Sequence, residues 1–144
     1  MRVQRSVSVV VIATLCLGCA LTPRHQRIVI PLADRVTRIT VAKIDESTAD
    51  LDAPSPRYPV IEDRERIGQV IKFLRVHGND WETPKGSFPN RQYAIKIDTE
   101  GDKHLLVWLG DQWIGGPVGN ANQLQNLKPR EIKEFREILQ ITAN

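Results

Sequence analysis

Cysteine is nearly absent from this chain: its 144 residues hold two, Cys16 and Cys19, and none follows residue 19. A disulfide framework inside the body of the chain is therefore excluded, as are zinc sites built on cysteine pairs. The three histidines, His25, His77 and His104, form no H-x-H or H-E-x-x-H pattern, so no metal-ligand set is legible and no cofactor is implied. Beyond residue 19 the serines are Ser47, Ser55 and Ser87, and none lies in a G-x-S-x-G elbow or an S-x-x-K setting. Long apolar runs are missing too. The main one, Val7 to Leu17, spans eleven residues, where a helix crossing a bilayer needs about 20.

That short run is nevertheless organised. Arg2 and Arg5 precede it and the small Gly18 follows it, the three-part layout of an export signal. The segment Leu15-Cys16-Leu17-Gly18-Cys19 resembles the lipobox of bacterial lipoproteins, with Cys16 where leucine is usual three positions before the cut. The resemblance implies removal of residues 1–18, a diacylglyceryl group on the sulfur of Cys19 and acylation of the new amino terminus. Ala20, in place of the aspartate that commonly retains Gram-negative lipoproteins in the inner membrane, implies an outer-membrane protein facing the periplasm. Two rivals stay open. Ordinary signal cleavage after Ala20 would use Gly18 and Ala20 as the small residues, and an uncleaved anchor is disfavoured by the shortness of the run.

Charge changes meaning once the signal is set aside. Residues 1–18 carry two of the twenty basic residues and none of the seventeen acids, so the net charge falls from +3 to +1. The remaining basic excess sits beside the anchor, where Arg24, Arg27, Arg35 and Arg38 face Asp34 alone. A nucleic-acid footprint needs a concentrated basic face on the domain itself, and none is visible. The arginines suit either a solvated tether or contact with anionic headgroups, at about 1 kcal/mol each near a charged surface.

Residues 19–35 read as a tether with a short strand possible at Ile28 to Ile30, and residues 36–142 as a single domain. Val36 to Ile44 is rich in β-branched side chains and reads as the first strand. Asp45 to Pro59, with Pro54, Pro56 and Pro59, reads as a long loop. Asp63 followed by Ile67, Val70, Ile71 and Leu74 marks a capped helix ending at Gly78. Gln92 to Asp98 and His104 to Leu109 alternate around Thr99-Glu100-Gly101-Asp102, a hairpin. A short strand at Trp113 and Ile114, a loop from Gly115 to Asn126, and a helix opened by Pro129 with Ile132, Phe135 and Leu139 on one stripe complete the order β-α-β-β-β-α. The expected fold class is α+β, a small antiparallel sheet with two helices packed on one face. In its helix, hairpin and Trp-Leu-Gly segment this part resembles small uncharacterised lipoproteins of Gram-negative bacteria, a resemblance that implies no activity.

The acids around Gly101 lack the positions of a calcium loop, and Gly115-Gly116-Pro117 lacks the lysine of a phosphate loop. What stands out is aromatic: Trp81, Tyr93, Trp108 and Trp113. Trp108 shares a strand face with Leu106, opposite Leu105 and Val107, so both faces of that strand are apolar and one needs a cover. The 45–59 loop, Trp113 folding back, or a partner would serve. The reading that follows is a non-catalytic interaction module, held to the membrane by its lipid anchor and binding another envelope protein. Binding of peptidoglycan or another glycan through the tryptophans is the alternative, and a small enzyme is a third class.

Overall fold

The computed structural model describes residues 27–44 and 60–141. Cys19 and the 45–59 segment lie outside the described residues. Strand β1 (Val36–Lys43), helix α1 (Arg64–His77), strands β2 (Tyr93–Thr99), β3 (Lys103–Leu109), β4 (Trp113–Val118) and β5 (Ala121–Asn126), and helix α2 (Pro129–Ile138) follow one another. The strands form an antiparallel meander in sequence order, β1-β2-β3-β4-β5.

Local chemistry explains the elements. The Asp63 carboxylate accepts from the Arg66 N–H at 2.9 Å, so α1 begins on a side-chain cap. Its residues Ile67, Val70, Ile71 and Leu74 are buried along one stripe. In α2, Pro129 takes a first-turn position where no amide partner is needed, and the Lys128 N–H donates to Glu131 Oε2 at 2.7 Å. The β2–β3 turn places Gly101 and Asp102 at φ of 80° and 56°.

Both helices bury their stripes on one sheet face. Ile39 and Val41 of β1, Ile95 and Ile97 of β2, Val107 and Leu109 of β3, and Ile114 and Val118 of β4 join Ile132, Phe135 and the α1 stripe in one core. Each such side chain contributes about 1.5–3 kcal/mol on burial, so a core of this extent holds the domain without a cross-link. Phe73 and Phe135 lock the helices together, their rings stacked at 4.3 Å and 8°.

The architecture is the α+β sandwich expected, with two differences of detail. The Gly115–Asn126 stretch read as a loop contains the rest of β4 and all of β5, six register pairs from Trp113↔Asn126 to Val118↔Ala121. Residues 28–30 form no strand: they run as an extended strap whose Ile28 and Ile30 pack against the core beside Gly78, as does Ala33 further along. The packed domain therefore begins ahead of Val36. Both sheet edges are also partly covered, Ile39 exchanging two 2.9 Å backbone bonds with Ile61, and Leu124 exchanging bonds of 2.8 and 2.9 Å with Glu82.

Candidate interaction surface

The second sheet face carries its own apolar cluster of Ala94, Trp108 and Trp113, with Phe88, Leu106 and Leu124 against it. Its cover is the segment between α1 and β2. This segment pairs Glu82 with the β5 edge and then crosses the far face, where Phe88 meets Trp108 at 5.5 Å and Trp113 at 5.1 Å, both edge-on. The Arg91 guanidinium lies 3.8 Å from the centre of the Trp108 ring, closing the cluster with a cation–π contact. Gly110 makes this possible, because a Cβ there would sit 2.0 Å from Trp113 Nε1.

Four residues read as a candidate binding surface are thus distributed otherwise. Trp108 and Trp113 are 8% and 5% exposed beneath the cover. Trp81 is 3% exposed on the opposite side of the sheet, in the helix-side core, its indole N–H donating to the His77 carbonyl at 2.9 Å. Tyr93 is half-buried at the start of β2, 6.0 Å from the Arg136 guanidinium. The structure does not bring the three tryptophans together, and none offers the open ring face that sugar stacking requires. Their burial corrects that expectation: the aromatics on the second face are the filling of a cluster that the chain itself closes.

Two other surfaces are open among the described residues. One is the outer half of the second sheet face, where Arg38 donates to Asp98 Oδ2 from Nε and Nη2 at 3.2 and 3.1 Å, Lys96 Nζ lies 3.8 Å from the same carboxylate, and His104 is exposed. This is a partly buried ion group, with Arg38 half-exposed and Asp98 and Lys96 largely covered. The other is a groove of about 770 Å³ between α1 and α2. Phe73, Val76 and Ile138 supply its apolar parts, with Lys72 contributed by α1 and Glu131, Glu134 and Glu137 by α2. Val76 is 64% exposed, a large apolar side chain outside the α1 core stripe. That departure from the stripe is the sequence signal by which the groove was recognisable: Phe73 and Val76 are apolar at positions the Ile67–Leu74 periodicity does not require.

Among the described residues no group of three or more His, Cys, Asp or Glu side chains is arranged to hold a metal ion. No helix among them is long and apolar enough to cross a membrane. No protein-family model, curated protein or solved structure matches the chain.

Proposed function

We propose that this chain is a lipid-anchored lipoprotein of the cell envelope, held through Cys19 in the outer membrane and facing the periplasm, whose domain is a non-catalytic protein-interaction module. Its binding element is the groove between α1 and α2, and its partner another envelope protein that presents an amphipathic helix. The observation carrying this reading is the groove itself: an apolar strip of Phe73, Val76 and Ile138 with Lys72 on the α1 side and, on the α2 side, Lys128 and Arg130 followed by Glu131, Glu134 and Glu137. Two packed helices offer the ridges between which a third helix seats, apolar side down. Glu134 and Glu137 on the α2 bank favour basic residues along one edge of that helix, while Lys72 on the α1 bank favours an acid along the other.

A photo-crosslinking residue at position 76 tests this in intact cells, with one at Asn122, exposed on β5, as the control. The expected result is one adduct, formed from position 76 alone, with a helical segment of a single envelope protein. Its yield falls at least tenfold when Glu134 and Glu137 are both reversed to lysine. Equal crosslinking from both positions, or indifference to the charge reversal, would overturn the reading.

A further inference from the structure

The strap at residues 27–32 alternates. Ile28 and Ile30 face inward onto the core, whereas Val29 is 86% exposed and Leu32 49% exposed, two of the four large apolar side chains that stand out from the surface among the described residues. The strap is fastened to α1 by Arg75, whose Nη2 donates to the Pro31 carbonyl at 3.3 Å; beyond it Arg64 Nη1 donates to Val36 O at 2.9 Å, at the start of β1. Arg27 and Arg75 are exposed, Arg27 two residues from Val29 in sequence and Arg75 bonded to Pro31, which precedes Leu32, and Asp34 is the strap's nearest acid in sequence.

We infer that this strap is a membrane-facing element, seating the domain against an anionic phospholipid surface with Val29 and Leu32 at headgroup depth and Arg27 and Arg75 on lipid phosphates. The inference rests on acylation of Cys19. Seven residues lie between Cys19 and Arg27, a reach of at most about 30 Å even fully extended, so the strap is the part of the described domain held nearest the bilayer. Apolar side chains flanked by arginines are the composition that interfacial attachment uses, and a tethered domain meets its own membrane at high effective concentration. The strap and the α1–α2 groove meet different residues of α1, since Arg75 bonds the strap while Phe73 and Val76 line the groove. A domain seated this way keeps its groove free.

The test uses the full-length, acylated protein reconstituted in vesicles of phosphatidylglycerol and phosphatidylethanolamine. A polarity-sensitive fluorophore is attached at Val29→Cys or, as control, at Asn122→Cys on the far sheet face. Quenching by a nitroxide-bearing lipid is expected to be several-fold stronger at position 29, and to drop toward the control in the Arg27→Glu, Arg75→Glu double variant. Equal quenching at the two positions, with the protein still sedimenting with the vesicles, overturns the inference and leaves the anchor intact. Loss of the protein from the vesicles overturns the anchor and the strap together.

Discussion

Trp113 gathers most of what single residues do here. Its indole lies over Gly110, meets Phe88 edge-on at 5.1 Å and is 5% exposed, so its role is packing. Trp113→Ala is expected to lower stability by about 3–5 kcal/mol in a urea titration, the range for removing a buried aromatic. Gly110→Ala should reach about 1–3 kcal/mol by the opposite route, forcing a methyl group into space the indole occupies. A glycan-stacking tryptophan would instead be removable at no measurable loss of stability, so the same titration separates the two roles. Sequence alone showed that Trp108 needed a cover on one face of its strand. It did not show which segment supplied it, because Phe88 and Arg91 sit in a stretch without periodicity and reach Trp108 only after the chain has rounded the β5 edge.

Among the elements, the helices and the hairpin were legible and β5 was not. Helix α1 carries a stripe, a cap and a stop in consecutive sequence, and each is a local interaction. Asp63→Ala is expected to cost about 1 kcal/mol, read as a shift in the urea midpoint with an unchanged slope, since it removes the bond to the Arg66 amide and little else. Strand β5 has no such internal signal. Its sequence, Ala121 to Asn126, is polar at most positions, and β4 ahead of it contains Gly115, Gly116 and Pro117, residues that disfavour strands. These segments are extended because they pair with one another and because β4 also joins β3 at Trp108↔Gly115 and Leu109↔Ile114. Pairing partners, rather than propensity, decide them.

For the whole molecule, the proposed anchor and the fold make separate predictions. Cys19→Ser is expected to move the protein from the membrane pellet to the soluble fraction, since two or more acyl chains are what hold such a protein stably on a bilayer. Reductant should leave the urea midpoint of the processed domain unchanged, because no cysteine follows residue 19. What the sequence by itself determined was whatever depends on near neighbours in the chain: the signal-like start, the helix stripes and caps, the β2–β3 turn, and hence the α+β class. Only the tertiary structure decided which apolar surfaces are closed and which stay open. The loop that buries Trp108, the partner that makes β5 a strand, the strap on α1 and the groove beside Val76 each join residues far apart in sequence. Such pairings depend on the path of the folded backbone, and no local periodicity records them.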